Sequence, residues 1–269
     1  MRYLRRFGVK RMIVGLLLAV AMAACATSPT GRPQLHLFPE DQMAEMGKVA
    51  YQEIKQQTPV SRDSSVNRYV QCVAQAITRL VAPDVNWEVT VFQDKSANAF
   101  ALPGGKIGVH TGLLEVAVNQ HQLATVIGHE IAHVEAQHSN ARMSASQLSQ
   151  TGLALAQVLA GTPSPAKSQL MGLLGVGVQV GVLLPYGRSQ ESEADVLGLN
   201  YMSRAGFDPR ESVALWQNMA KGGGQQQPEF LSTHPSHGTR IDQLQANMPQ
   251  ALELYQQAQA QGNTPKCQS

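Results

Sequence analysis

The stretch that most constrains the fold is residues 126–139, VIGHEIAHVEAQHS, where charged and ring side chains stand inside an apolar sequence. The spacing of the apolar residues predicts a long helix over about 120–138. His129 and His133 are four residues apart, slightly more than one helical turn, so their rings lie on the same helical face. Because a buried imidazole without a partner costs free energy, the fold must bring polar or metal-binding groups to this helix from elsewhere.

Two histidines at this spacing, with a glutamate directly after the first, are typical of a zinc site. Both rings can reach one ion, whereas Glu130 is offset by about 100° around the helix. That offset is too large for a third ligand, but it allows Glu130 to take a proton from a water molecule at the ion's open position. A solvated helix face is the alternative interpretation, and it fits poorly because apolar residues surround the polar ones.

A candidate third ligand lies in the segment GRSQESEAD, residues 187–195. Glu191 and Asp195 are four apart and share a helical face, whereas Glu193 points the other way. We therefore predict that Glu191 binds the zinc ion. Asp195, one turn further on, is predicted to accept a hydrogen bond from a ligating histidine and so to fix the tautomer of that ring. A surface acidic run is the alternative interpretation.

Five short motifs occur along residues 40–250, in the order NAFALPGG, GHEIAHVEAQH, ESEAD, GFDP and HPSHGTR. This set resembles the zinc metallopeptidase family that includes the membrane protease HtpX, the CAAX prenyl proteases and the periplasmic proteins BepA and LoiP. The resemblance implies a gluzincin with one zinc ion per chain. Its implied ligands are His129, His133 and Glu191, and its implied general base is Glu130. The expected fold is a predominantly helical, zincin-like α+β domain, with a small β-hairpin or sheet beside the active-site helix.

The resemblance also implies roles outside the ligand set. His234 looks like the family histidine that approaches the site and either steadies an oxyanion or caps the zinc, and Arg240 looks like the arginine that accompanies it. A helix-start histidine and a surface arginine are the alternatives. The predicted first strand of a hairpin looks like the family's edge strand, on which an extended substrate adds by main-chain hydrogen bonds. Its residues are Asn98, Ala99, Phe100 and Ala101.

The remaining histidines have no predicted role in catalysis. His138 is five residues past His133 and would lie nearly opposite His129 on a continuous helix, so it is predicted to be structural or to stand at the helix end. No role is argued for His110, His121 and His237. The other patterns predict helices over about 39–57, 63–82 and 189–204, a strand within 85–94, and a hairpin of strands at 97–101 and 106–110.

The N-terminus predicts export. Five of the 21 basic residues lie in the first eleven positions, ahead of the apolar run MIVGLLLAVAMAAC. This run is too short for an ordinary membrane span, and MAAC resembles a bacterial lipobox in which Met22 replaces the preferred leucine. We predict a lipoprotein signal peptide over 1–24 and lipidation at Cys25. The alternative is a signal peptide cleaved nearby, with Cys25 incidental. Ala26 resembles the residue that forwards lipoproteins to the outer membrane, so the predicted location is the periplasm, at the inner face of that membrane.

Composition predicts one domain, because 269 residues with 43% hydrophobic content are enough for a single core. We predict a tether over 25–38, a metallopeptidase domain over 39–260 and a polar tail over 261–269. Cys72 and Cys267 form either a disulfide, favoured by an oxidising compartment, or two free thiols. The apolar part of 141–184 is predicted to be a buried or lid-forming helix rather than a membrane span. Basic and acidic residues are nearly balanced, with a net charge of +2, and the sequence has no basic patch that would indicate nucleic-acid binding.

The function predicted by resemblance is that of a periplasmic zinc metalloendopeptidase that cleaves misfolded or unassembled envelope proteins, held at the membrane by its N-terminal lipid. A stand-alone, LoiP-like lipoprotein is the nearer form, because the membrane relatives carry several spans and BepA carries an added helical repeat domain. The sequence leaves the oligomeric state open. One alternative is a chaperone-like or assembly lipoprotein with a capped metal site and latent protease activity. Another is a structural lipoprotein without metal, whose stability would not respond to a chelator.

Overall fold

The computed structural model describes residues 25–159, 186–222, 230, 232, 234 and 239–268. The predicted signal peptide, residues 160–184 of the apolar segment and His237 lie outside these ranges. The strands are β1 Cys25–Thr27, β2 Pro33–Leu35, β3 Glu88–Phe92, β4 Ala99–Leu102 and β5 Lys106–His110. The helices are α1 Glu40–Gln57, α2 Ser64–Val81, α3 Leu113–Val116, α4 Gln120–Glu135, α5 His138–Leu159, α6 Arg188–Arg204, α7 Glu211–Gly222 and α8 Arg240–Ala260. Most described residues are helical, which confirms the predicted α+β class.

The larger sheet has three strands in the order β3-β5-β4. β5 pairs with β3 in parallel and with β4 in the antiparallel sense, with Phe100 opposite Gly108. The predicted hairpin is therefore present, and Gly104 and Gly105 form its turn with positive φ angles of 82° and 75°. β4 lies at the edge of this sheet. An edge strand keeps main-chain groups that can pair with another extended chain.

The core is organised around α4, which packs against α6, α2, α7 and β4. Every residue from Gln122 to His133 is buried, including Leu123, Ile127 and Ile131, which have no exposed surface. Burial on all sides explains why the apolar residues of this helix do not form a single stripe. The polar residues of the motif therefore lie inside the protein, where each needs a partner.

Two glycines let α4 and α6 approach each other closely. A Cβ atom on Gly128 would lie 2.9 Å from the carbonyl oxygen of Gly198, and a Cβ atom on Gly198 would lie 2.7 Å from the amide nitrogen of His129. Any larger residue at either position would push the helices apart. This contact fixes the separation of the two helices that carry the predicted zinc-binding side chains.

The segment predicted as a tether, 25–38, is an ordered hairpin instead. β1 and β2 pair antiparallel, and Gln34 donates to the carbonyl of Ala136 at 2.8 Å. Leu37 donates its amide to the hydroxyl of Ser144 at 2.8 Å. The Pro-, Thr- and Gly-containing composition suggested a tether without regular structure. The hairpin forms because polar groups of this segment hydrogen-bond to the domain surface. Across the described ranges, no helix combines the length and apolar character needed to cross a membrane.

The tail also contacts the domain rather than leaving it. Cys72 on α2 and Cys267 form a disulfide, with their Cα atoms 5.7 Å apart. Gln120, the first residue of α4, donates to the carbonyl of Pro265 at 3.0 Å and accepts from the amide of Cys267 at 2.8 Å. Of the two options left open by the sequence, the structure has the disulfide.

Candidate metal centre

Four donor groups meet between α4, α6 and the residue His234. The Nε2 atoms of His129 and His133 are 3.0 Å apart, and His234 Nδ1 is 3.2 Å from His129 Nε2. The carboxylate of Glu191 lies 3.5 Å from His129, 3.4 Å from His133 and 3.2 Å from His234. One donor atom from each residue lies within 4.8 Å of the other three, and all four residues are buried.

This cluster fits one zinc ion. Zinc bonds to nitrogen and oxygen are about 2.0–2.1 Å long, so tetrahedral ligands stand about 3.3 Å from one another. The observed spacings of 3.0 to 3.5 Å are close to that value. The carboxylates also favour a cation here. Although burial lowers the pKa of His129, a hydrogen bond to Asp195 and the charge of Glu191 outweigh it, and the pKa is raised. Burial lowers the pKa of His133, so this ring is neutral and offers a lone pair.

A second group of contacts fixes His129 and Glu191. His129 Nδ1 lies 2.9 Å from Asp195 Oδ1, in the position expected for a donor that sets the tautomer of the ring. Arg240 donates from Nε to Asp195 and from Nη2 to Glu191, both at 2.6 Å, and stacks over Trp216. Burial raises the pKa of Glu191, but hydrogen bonds from His133 and His234 and the charges of His129 and His234 outweigh it and hold this pKa well below its ordinary value. Two of the three guanidinium nitrogens of Arg240 bond to carboxylates, and the predicted part of this residue in stabilising an oxyanion stays a prediction.

His138 contacts the site, contrary to its expected position opposite His129. The predicted continuous helix is broken, because α4 ends at Glu135 and Gln137 has a φ of 50°. The break turns His138 back, so that its Nδ1 lies 2.9 Å from His133 Nδ1. Its Nε2 lies 3.2 Å from Glu193, which is also buried although the sequence placed it facing away. Burial lowers the pKa of His138 to about 4, so the ring is neutral at pH 7.

Glu130 lies between the sheet and the donor cluster. Its Oε2 accepts a hydrogen bond from the amide of Ala101 on β4 at 3.1 Å. Its Oε1 has no hydrogen-bond partner among the described residues and is 3.3 Å from His234 Nε2. Burial raises the pKa of Glu130. A carboxylate in this position can take up and release a proton beside the cluster.

The predicted substrate strand passes beside Glu130. Ala99, Phe100 and Ala101 belong to the edge strand β4, and the carbonyl of Asn98, just before it, accepts from His110. Beyond the end of β4, a cavity of about 270 Å³ reaches His133. This cavity is also lined by Met43, Pro103 and Glu135.

Two aromatic rings cover the histidines, and neither ring was predicted from the sequence. Tyr186 stacks on His133 with ring centres 3.7 Å apart, and Phe230 stacks on His234 at 4.3 Å. His121, for which no role was predicted, is outside the site: its Nδ1 accepts from the amide of Asp208.

The fold and the site place this chain in the class of metallopeptidases. The features of that class are an α+β fold with a buried HExxH helix, a glutamate on a neighbouring helix and a cluster that fits zinc. The chain belongs to peptidase family M48, whose family model matches residues 61–248. This family consists of hydrolases that act on peptide bonds, and the match confirms the family resemblance in the motifs.

The chain is also similar in sequence to individual proteases. The chain is 38% identical to the mitochondrial metalloendopeptidase OMA1 of Saccharomyces cerevisiae over 183 residues, which is 65% of this chain and 50% of the relative. It is 32% identical over 244 residues to the human OMA1, covering 84% of this chain and 46% of the relative. It is 28% identical over 257 residues to the beta-barrel assembly-enhancing protease of Yersinia pestis, covering 87% and 51%. The chain thus spans about half the length of these relatives.

Proposed function

We propose that this protein is a zinc-dependent endopeptidase. The observation that carries the proposal is the position of Glu130, whose carboxylate bonds to the edge strand at Ala101 and faces the four-donor cluster with its other oxygen. A general base must stand within reach of both the substrate and the attacking water. A carboxylate between a strand that can bind an extended peptide and a cluster that fits zinc meets this requirement.

In this proposal His129, His133 and Glu191 hold the ion. Zinc, when bound, polarises the carbonyl of the scissile bond and lowers the pKa of a water molecule. Glu130 takes the proton of the attacking water and passes it to the departing amine, so that water is added across the peptide bond. Asp195 orients His129. The edge strand with Asn98, Ala99, Phe100 and Ala101 aligns the peptide by strand addition, through those of its main-chain groups that bond neither to β5 nor to Glu130.

Arg240 and His234 have supporting roles in the same scheme. Arg240 holds Glu191 and Asp195 in place through its two bonds of 2.6 Å, and its Nη1 has no hydrogen-bond partner among the described residues. Such a buried donor can stabilise negative charge that develops on the substrate. His234 can do the same through Nε2 once its ring leaves the other donors.

We further propose that the protein acts in the periplasm on misfolded or unassembled envelope proteins. The basic and apolar N-terminus supports export, and the lipobox-like MAAC supports attachment of a lipid at Cys25. The bacterial relative is by name a beta-barrel assembly-enhancing protease, which supports envelope proteins as substrates. The similar relatives from yeast and human are mitochondrial by name, so the substrate must be tested on this protein.

The test uses the full chain, purified in detergent, with unfolded casein as substrate. Wild type is compared with Glu130→Gln, which keeps the size of the side chain and removes the base. Glu53→Gln, an exposed change on α1, is the matched control. The proposal predicts one zinc per chain in all three proteins, with cleavage by wild type and the control only. Cleavage by the Glu130→Gln protein would refute the assigned base.

A second candidate function, a capped protease with chaperone-like or assembly activity, is favoured by one observation. His234 Nδ1 stands 3.2 Å from both His129 Nε2 and Glu191, as a fourth donor would. A catalytic zinc site keeps an open position, whereas four protein ligands close it. If the site is capped, His234→Ala increases casein cleavage. If His234 serves the open enzyme, the same change decreases it.

A further inference from the structure

The N-terminal hairpin formed by β1 and β2 makes its main polar contact with one buried side chain, Glu193 on α6. Thr30 donates to Glu193 Oε1 from its amide at 3.3 Å and from its hydroxyl at 2.5 Å. Arg32 donates from Nε to Oε2 at 2.9 Å, and its Nη2 lies equally close. Glu193 is only 5% exposed, so the hairpin supplies most of the donors that compensate its burial.

The carboxylate of Glu193 also contacts a histidine that leads to the metal centre. Glu193 Oε2 is 3.2 Å from His138 Nε2, and His138 Nδ1 is 2.9 Å from His133 Nδ1. His138 has no exposed surface. A chain of contacts therefore runs from Thr30 and Arg32 through Glu193 and His138 to His133, whose Nε2 faces the other donors.

The carboxylate of Glu193 determines which atoms donate and which accept along this series of contacts. An ionised carboxylate can only accept, so His138 donates to Glu193 from Nε2. A neutral imidazole carries one proton, so Nδ1 of His138 must accept. His133 then donates from its own Nδ1, and its Nε2 is left with a lone pair that points into the cluster. This is the tautomer that metal binding requires.

We propose that the hairpin is a structural part of the metal centre, with Glu193 and His138 as positioning residues that fix the tautomer and orientation of His133. The inference rests on the proposed zinc site. Asp195 on α6 sets the tautomer of His129, whereas the N-terminal hairpin sets the tautomer of His133 through Glu193 and His138. Cys25, the predicted lipidation site, is the first residue of β1, so an anchor there would join the membrane to the same hairpin that supports the site.

The first experiment separates hydrogen bonding from packing at position 138. In His138→Asn, the amide oxygen can occupy the place of ring Nδ1 and accept from His133. In His138→Gln, the longer amide reaches the place of Nε2 and leaves Nδ1 of His133 without its acceptor. We expect His138→Gln to weaken zinc affinity 10- to 100-fold, the usual effect of losing such a partner, and His138→Asn to stay within about threefold of wild type. Affinity is measured on the full chain by competition with a chelator.

A role in packing alone predicts the opposite order, because glutamine is closer to histidine in size. Equal effects of the two variants, or a smaller effect of glutamine, would overturn the inference. A second readout needs no metal: ¹⁵N NMR of the metal-free ring reports its tautomer directly. His133 should carry its proton on Nδ1 in wild type and His138→Asn, but not in His138→Gln. If wild type bound no zinc, the zinc site itself would fail, and the NMR result would still decide the role of His138.

The hairpin is tested by the double variant Thr30→Val, Arg32→Met, which removes the donors that these two side chains offer to Glu193. Thr27→Val is the matched control, since Thr27 is an exposed residue of the same hairpin. We expect the double variant to weaken zinc affinity several-fold while its circular dichroism is unchanged, and the control to match wild type. Unchanged affinity in the double variant would show that the hairpin is not part of the metal centre.

Discussion

We expect the disulfide between Cys72 and Cys267 to stabilise the protein by constraining its unfolded chain. The bond closes a loop across a sequence separation of 195 residues. In the chain-entropy model, closing a loop of this length removes about 18 cal/mol/K from the unfolded chain, which corresponds to about 5 kcal/mol at 25 °C. Measured effects are commonly nearer 2–4 kcal/mol, because the reduced unfolded chain retains structure. Replacing both cysteines with alanine should therefore lower the free energy of unfolding by about 2–5 kcal/mol.

The assay is urea unfolding followed by far-ultraviolet circular dichroism, with the same zinc concentration for both proteins. The control for lost side-chain packing is wild type under reducing conditions, which keeps both cysteine side chains. Its free energy of unfolding should match that of the double alanine variant. The tail should also become sensitive to protease in the variant, because Cys267 and Pro265 would then be held mainly through Gln120. A loss below about 1 kcal/mol with an unchanged denaturant slope would refute the loop-closure reasoning.

Three further predictions concern charge and metal. Arg240→Met leaves two buried carboxylates without their cation, so the free energy of unfolding should fall by about 3–5 kcal/mol in urea, and a loss near zero would contradict the ion-pair description. A hydrogen bond from Lys55, opposed by burial and supported by Lys106, lowers the pKa of Glu88 below its ordinary 4.5. The stability it contributes is present above pH 4.5 and is lost as pH falls through the lowered pKa. The gap in urea midpoint between wild type and Glu88→Gln should therefore narrow between about pH 6 and pH 3, and a constant gap would contradict this. Removing zinc with a chelator should lower the melting temperature, and adding zinc back should restore it; no change would favour a structural protein without metal.

The sequence was sufficient for the parts of the site that depend on helical periodicity. His129 and His133 share a face of α4, and Glu191 and Asp195 share a face of α6, because residues four apart in a helix are neighbours. The edge strand could be predicted because a Pro-Gly-Gly turn separates two short apolar runs. These features are local, so a few residues of sequence determine them.

The parts that the sequence missed depend on contacts between distant segments. His138 reaches His133 only because the chain reverses at Gln137, and a glutamine with positive φ has no sequence signature. Glu193 is buried only because the hairpin at 25–35 covers it, more than 150 residues earlier in the chain. A segment with tether-like composition was needed to complete that contact, and composition alone could not indicate it.

The most direct test of the metal centre is X-ray absorption at the zinc edge on the purified full chain. We expect one zinc per chain, surrounded by nitrogen and oxygen at about 2.0–2.1 Å with the outer scattering of imidazole rings. We also expect Glu191→Ala to lose most of the metal. A sulfur neighbour at about 2.3 Å, or stoichiometric zinc retained in Glu191→Ala, would contradict the metal centre described by His129, His133 and Glu191.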